Sequence, residues 1–399
     1  MPFAAALSEH PVPAEAAGAV IGDVIEQIGR GPDVAAVFVT APLVGALEDV
    51  GKAVRELLAP GVLIGGTAVS VVGGGREIEE TAAISLWAGN LPGLAEPPHP
   101  VSLAIEQRSA DTFELTGAGQ LTDGAGTLLL LADPFTFPVD HLLQVLAQSA
   151  PQLSVVGGLA SAARGPGGNR LLLDDQVSSA GAVGILFPAG PHVTTLVSQG
   201  CRPVGDPFTV TDAQGTMVKE LAGQPAFDRL NQLVEHSTAE TRAQMAHGLQ
   251  MGLVIDEQRD RFGRGDFLIR NLVGVDRDNG ALAVGDNVEV GSTVQFQVRD
   301  AASADEDLTT LLADADASWS SAPDGALLFT CNGRGERLFG TPDHDAAEVA
   351  EHLANPSRPA LGGMFCAGEV GPVGGRNFLH GFTASVAMFH DDPPEDPAV

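Results

Sequence analysis

The segment Phe329-Thr330-Cys331-Asn332-Gly333-Arg334-Gly335 gathers a thiol, an amide, a guanidinium and two glycines where an apolar stretch ends and the chain must turn. Gly333 and Gly335 permit positive φ and leave backbone amides exposed, so an anion can be held there with Arg334 beside it. Arg334 also suits a two-pronged pair with a ligand carboxylate; the alternative is that it closes the turn on an acidic neighbour such as Glu369. Cys331 reads either as a partly exposed thiolate activated by Arg334 and the amides, or as a small buried thiol of ordinary reactivity. A second cluster runs from Gly362-Gly363-Met364 through Gly368-Glu369-Val370-Gly371-Pro372, followed by Asn377-Phe378-Leu379-His380-Gly381-Phe382-Thr383. Glu369, set among glycines that leave room for a ligand, can receive an ammonium group or the side chain of Arg334. His380 is read as a hydrogen-bonded strand-end histidine or as part of the same site. Cys331, Glu369 and His380 form a nucleophilic trio on paper, a combination that arises easily by chance.

Other chemistries find no support in the spacing. The run Gly165-Pro166-Gly167-Gly168-Asn169-Arg170 lacks the dinucleotide-binding glycine pattern at a strand-to-helix junction, and there is no phosphate-loop sequence. The 10 histidines are scattered, and His344 and His352 on one predicted helix have no third ligand at metal-binding spacing. Neither a structural metal nor a cofactor is expected. The net charge of -30 disfavours phosphate backbones and anionic membrane surfaces, because such binding needs clustered Lys and Arg, and lysine occurs only at 52 and 219. The charge reflects solubility or, alternatively, a basic partner. The N-terminal residues lack the cationic start and long apolar stretch of a secretory signal, and the richest apolar run, Ala35 to Leu47, is broken by Thr40, Pro42 and Gly45. Cys201, Cys331 and Cys366 form an odd, widely spaced set that reads as reduced thiols. The expected location is therefore cytoplasmic, away from any membrane.

The elements that must position these residues are written three times. A short apolar strand, a helical stretch and a second strand ending in Gly-Gly occur at Val34–Thr40, Ala46–Leu58 and Val62–Ala68; at Thr127–Asp133, Pro138–Gln148 and Val155–Ala160; and at Ala326–Asn332, Asp343–Leu353 and Ala360–Met364. Each copy continues through a variable polar loop into another apolar strand: Thr81–Ala88, Ala180–Phe187 and Phe382–Phe389. The copies lie too far apart for a stacked solenoid and point to related lobes, each ending in a glycine-lined loop. A helix over Ala14–Ile28 and a β-rich block over Gly252–Val298 complete the pattern, the latter with a hairpin loop at Asp276-Arg277-Asp278-Asn279-Gly280. The fold class is α/β in a mixed α+β arrangement. Two domains are expected: 1–220 with two lobes, and 221–390 with the β-rich block and the third lobe. The acidic, proline-rich tail 391–399 is expected to be disordered.

The chain resembles the FIST family (F-box and intracellular signal transduction), with both N-terminal and C-terminal FIST domains. The resemblance rests on Leu63-Ile64-Gly65-Gly66-Thr67, Val156-Gly157-Gly158-Leu159-Ala160 and Ser198-Gln199-Gly200-Cys201-Arg202-Pro203 in the first half. In the second half it rests on Phe267-Leu268-Ile269-Arg270-Asn271-Leu272, Phe329 to Gly335, Gly368-Glu369-Val370-Gly371-Pro372 and Leu379-His380-Gly381-Phe382-Thr383. It implies a sensory module that recognises small molecules such as amino acids beside signalling output domains. No kinase, methyl-accepting, cyclase or F-box segment is visible, so the module is read as standing alone, acting through a signalling protein partner. The reading is a non-enzymatic sensor in which Arg334 pairs a ligand carboxylate and Glu369 an amine. Cys331, Asn332, Gly333, Gly335, Gly362, Gly363 and His380 line that site. Two alternatives stay open: a hydrolase or transferase using Cys331, and an interaction scaffold working through the acidic surface.

Overall fold

In the computed structural model each of the three repeats folds into a leading strand, a helix and a second strand parallel to the first. The structure describes residues 2–94, 96–107, 113–121, 124–190, 192–259, 261–263 and 265–390, and the expected tail at 391–399 lies outside them. Lobe one pairs Val34–Thr40 with Val62–Ala68 across the helix Leu47–Leu57. Lobe two pairs Gly126–Ala132 with Leu153–Leu159 across Val139–Ser149. Lobe three pairs Gly325–Cys331 with Leu361–Cys366 across His344–Glu351. Each leading strand is flanked on its other side by an antiparallel closing strand: Ile84–Gly89, Ala182–Pro188 or Ala384–Phe389. The leading strands read as unbroken apolar runs because both faces are covered.

Why these stretches become helices is visible in lobe one. Leu47, Val50, Gly51 and Val54 recur at helical spacing and are the buried face, while Glu48 and Asp49 in the first turn and Arg55 in the last complement the helix dipole. The helix Pro13–Ile28 likewise starts on a proline and buries Ala16, Ala17, Val20, Ile21 and Val24.

The Gly-Gly pairs do not end their strands, as the sequence suggested. They sit inside them, buried, with no loop beginning there. The reason is close packing. A side chain at Gly157 would meet the carbonyl oxygen of Leu130 at 1.9 Å, and one at Gly363 that of Leu328 at 2.0 Å, each being the residue's own ladder partner. Both glycines also take φ values, +146° and +153°, that side-chain-bearing residues rarely adopt.

The polar loops that follow are ordered hairpins, and each pairs with a strand of another lobe. The hairpin of lobe one, Val71–Gly73 with Arg76–Ile78, adds to the Gly-Gly strand of lobe three. That of lobe three, Glu369–Val373 with Arg376–His380, adds to the Gly-Gly strand of lobe two. That of lobe two, Leu171–Leu173 with Gln176–Ser178, adds to the Gly-Gly strand of lobe one. The exchange closes into a ring, so no Gly-Gly strand is left as a bare sheet edge. All three sheets contribute to one core, in which Phe3, Phe38, Trp87, Leu131, Phe329 and Phe389 are buried together.

The chain divides into two compact units, Met1–Val197 with Thr309–Val399 and Ser198–Leu308. This grouping cuts the chain elsewhere than at 220/221. The hairpin exchange ties lobe three to the other two, whereas the β-rich block stands as its own unit. There the strand Thr293–Arg299 pairs with both Phe208–Gln214 and Leu249–Val254. Through Met217–Leu221, Ala281–Val284 and Phe267–Asp276 the sheet closes on itself around Val210, Val218, Met251, Leu282 and Phe296. The hairpin loop expected at 276–280 joins two of these strands, with Asp276 accepting the backbone N–H groups of Asp278 and Asn279.

Candidate functional site

The lobes can be compared position by position, because the backbone N–H at the end of each leading strand donates to the same place before the closing strand. Thr40 donates to Ala83 at 3.1 Å, Asp133 to Gly181 at 3.0 Å and Cys331 to Thr383 at 3.0 Å. Thr40, Asp133 and Cys331 are thus equivalent. In the hairpins, Leu171 lies opposite Gly66, Val71 opposite Met364 and Glu369 opposite Gly158. A carboxyl therefore occupies in lobe three's hairpin the position that the other two fill with Leu and Val. The same holds for Glu77, which pairs with Val72 where Val177 and Leu379 pair with Leu172 and Val370. Both acids are buried, and both serve lobe three.

Two polar groupings result. In the first, Glu369 is fully buried and its Oε2 accepts the backbone N–H of Thr383 at 3.0 Å and its hydroxyl at 2.8 Å. The Cys331 thiol donates to the same carboxyl. Burial pushes Glu369 up to about 8, against the Thr383 donors, nearby Arg334 and the Cys331 thiol, so at neutral pH the proton is mostly held. The backbone N–H of Gly333 donates to the Cys331 sulfur at 3.4 Å. Cys366 is the direct ladder partner of Cys331. Burial first, then Glu369 and Cys331, push its thiol upward. His380 stands opposite Glu369 in the hairpin, and its Nε2 donates to the Gly371 carbonyl at 2.9 Å.

In the second grouping, Arg334 grips Asp345 with both prongs, Nε to Oδ2 at 2.7 Å and Nη2 to Oδ1 at 2.8 Å, and both side chains are wholly buried. Its guanidinium also lies 5.2 Å from the centre of the Phe339 ring. Thr330 donates its hydroxyl to Asp345 at 2.7 Å. Burial alone would raise Asp345, yet Arg334 outweighs it and holds the carboxyl well below its usual range. Glu77 accepts the N–H of Ala346 at 3.0 Å through Oε1, and burial together with the Asp345 anion raises it to about 8.

The structure thus brings Cys331, Glu369 and His380 to one strand end, with Arg334 close enough to act electrostatically on Glu369. Asn332 is exposed there and Gly333 half-buried, beneath the ring of Phe382, which a side chain at 333 would strike at 2.5 Å. Phe382 itself holds φ +65°, an outlier for a bulky residue. Gly335 is buried at φ +70° against Glu79. Gly362 and Gly363 lie inside a strand and present no loop. The role given to Arg334, taking a ligand carboxylate, is corrected: the fork is already occupied by Asp345, and the acid closing the turn is Asp345 rather than Glu369. Asp345 and Glu77 were not singled out by sequence reading, and Phe382 and Thr383 stood in the second cluster without a role. Aligning the hairpins of the three lobes would have exposed Glu77, but nothing in the spacing marks Asp345.

Two cavities lie elsewhere. One of about 590 Å³ is lined mainly by apolar residues of the helices Pro13–Ile28 and Leu47–Leu57. One of about 520 Å³ in the second unit is lined by Asp212, Lys219, Glu220 and Asp276. Neither contains an expected site residue. Among the described residues no cluster of three or more His, Cys, Asp or Glu is set to hold a metal ion, and no helix is long and apolar enough to cross a membrane.

Three strand-helix-strand lobes with exchanged hairpins and a separate β-rich unit define a mixed α/β protein of two compact units. Residues 33–224 match the FIST N domain and residues 226–372 the FIST C domain. The chain belongs to the FIST family, whose domains are associated with sensory modules in signal transduction. It is similar to an uncharacterized protein of Mycobacterium bovis, 42% identical over 378 residues that cover 92% of this chain and 93% of the relative. An uncharacterized protein of Mycobacterium tuberculosis is 44% identical over 354 residues, 86% of this chain and 87% of its own.

Proposed function

We propose that the chain is a sensory module that binds a small amine-bearing ligand, such as an amino acid, at the strand end of lobe three, without turning it over. One observation carries the reading: Glu369 and Cys331 occupy positions that the other lobes fill with Val71 and Leu171, and with Thr40 and Asp133. A buried carboxyl at a site with apolar counterparts costs stability, which points to a use beyond packing. In this reading Glu369 receives the amine, and the backbone and side chain at Asn332 and Gly333 meet the ligand from the exposed side. Phe382 moves aside to admit it, the strained φ being released. Arg334 acts through Asp345, holding the turn in shape. Three free thiols suit a reducing compartment, so the module works in the cytoplasm and passes its signal to a protein partner.

The test is a thermal-shift screen of the full chain against amino acids, other small amines and small carboxylates, repeated with Glu369→Gln. A ligand at about 100 times its dissociation constant adds about 2.7 kcal/mol of stability. A concentration-dependent rise that Glu369→Gln abolishes is expected. No rise with any compound, or a rise untouched by the substitution, overturns the assignment.

A further inference from the structure

We propose that Cys331 and Cys366 form a reversible disulfide in response to hydroperoxides, with Cys331 attacking first, Cys366 resolving and Glu369 handling the proton. The two cysteines are direct partners at the last rung of a parallel ladder. Laterally paired residues point to the same face of a sheet. Neighbouring strands run about 4.8 Å apart, inside the roughly 4.4–6.8 Å Cα separation that a disulfide spans. Each is the last residue of its strand. The third cysteine, Cys201, belongs to the other compact unit, where Arg299 donates toward its sulfur at 3.6 Å.

The order of reaction follows from the surroundings. Cys331 is 8% exposed and Cys366 fully buried, so a small oxidant reaches Cys331 first. The Cys331 sulfur accepts the Gly333 N–H, which favours the thiolate, and the thiol lies close enough to Glu369 to act on its carboxyl. Glu369, raised to about 8 by burial, keeps an ionised fraction at neutral pH, and in that fraction the carboxylate can take the Cys331 proton. Burial holds the Cys366 thiol in its protonated form, which keeps it from attacking peroxide ahead of Cys331.

The chemistry balances. In molecules whose Glu369 is ionised, Cys331 passes its proton to that carboxylate, and the thiolate attacks one peroxide oxygen, forming an S–O bond as the O–O bond breaks. The hydroxide released takes the proton back from Glu369 and leaves as water. The Cys366 sulfur then attacks the Cys331 sulfur, forming the S–S bond and breaking the S–O bond. Hydroxide leaves with the Cys366 proton as a second water. Two thiols and one hydrogen peroxide become one disulfide and two waters.

The claim does not rest on ligand binding, and a chain that binds nothing in the thermal screen still forms the bond. The experiment exposes the full-length chain to hydrogen peroxide and follows alkylatable thiols and linked peptides by mass spectrometry. Cys331–Cys366 linkage, Cys201 left alkylatable and full recovery with dithiothreitol are expected. Cys366→Ala, which installs the residue found at the equivalent Ala68 of lobe one, leaves Cys331 trapped as a sulfenic acid that dimedone captures. Cys331→Thr, matching Thr40, leaves Cys366 unreactive. Glu369→Gln resembles the protonated carboxyl in shape, so the fold is kept while the rate of Cys331 oxidation falls by about tenfold or more. The proposal is overturned if all three thiols survive peroxide that consumes free cysteine, if the linkage involves Cys201, or if Cys366 oxidises as fast in Cys331→Thr.

Discussion

At the scale of single residues, the buried charges of lobe three set how the protein responds to pH and to substitution. Glu77 and Glu369 both rise on folding, from an ordinary 4.5 to about 8, so between those values the native chain holds protons that the unfolded chain has released. Stability contributed by these groups is fully present below about pH 4.5 and is lost as pH climbs toward 8. Asp345 works in the opposite sense, its contribution fading only as pH falls below the ordinary 3.8. Urea unfolding at about pH 5 and about pH 8 is expected to give a lower stability at the higher pH. Glu77→Gln and Glu369→Gln should each flatten that difference, and an undiminished slope in both variants refutes the account. Arg334 carries the complementary prediction. Its removal strands Asp345 as a buried anion beside Glu77, so Arg334→Ala should cost about 3–5 kcal/mol in the same measurement. A loss below 1 kcal/mol, on the order of an exposed ion pair, would show that the fork is dispensable.

At the scale of elements, the glycines inside the second strands are packing residues, and they can be told apart from glycines that are not. Gly157→Ala and Gly363→Ala each force a methyl group onto a ladder partner's carbonyl and a left-handed φ onto alanine. Each should cost about 3 kcal/mol or more. Gly18→Ala, on the exposed side of the helix Pro13–Ile28 with nothing near its added methyl, should instead stabilise by up to about 1 kcal/mol. Equal effects from the two kinds of substitution would refute the packing role. The strands and helices of the lobes were legible in the sequence because their periodicity is strong: Val34–Thr40 and the helices over 47–57 and 139–149 stand within a residue or two of where the pattern puts them. The hairpins were not. Val71–Gly73 and Arg76–Ile78 are strands of three residues around a Gly-Gly turn, too short to show alternation, and their partner lies nearly three hundred residues away in lobe three. The strand end holding Cys331 was legible as a site, but the partner of Arg334 was not, because Asp345 reaches it across a loop and a helix start that spacing does not relate to the turn.

At the scale of the whole molecule, the exchanged hairpins make the three lobes one folding unit. Each lobe completes the sheet of another, and the aromatic core formed by Phe3, Trp87, Phe187 and Phe389 draws on all three. The indole N–H of Trp87 in lobe one donates to the Ala360 carbonyl of lobe three at 3.0 Å, a bond that neither lobe makes alone. Opening any one lobe therefore bares a Gly-Gly strand edge in a second and frees the hairpin of the first. A linear array would pass such damage only to its neighbours, whereas a closed ring has no end at which it can stop. Native-state hydrogen exchange reads the difference directly. The core amides of Val37, Leu130 and Leu328, one in each leading strand, should share a common opening free energy. Gly157→Ala, although confined to lobe two, should lower all three by the same amount and leave the strands of Ser198–Leu308 with their own value. If only the lobe-two amide responds, the lobes open independently, and the ring is a matter of connectivity without energetic coupling.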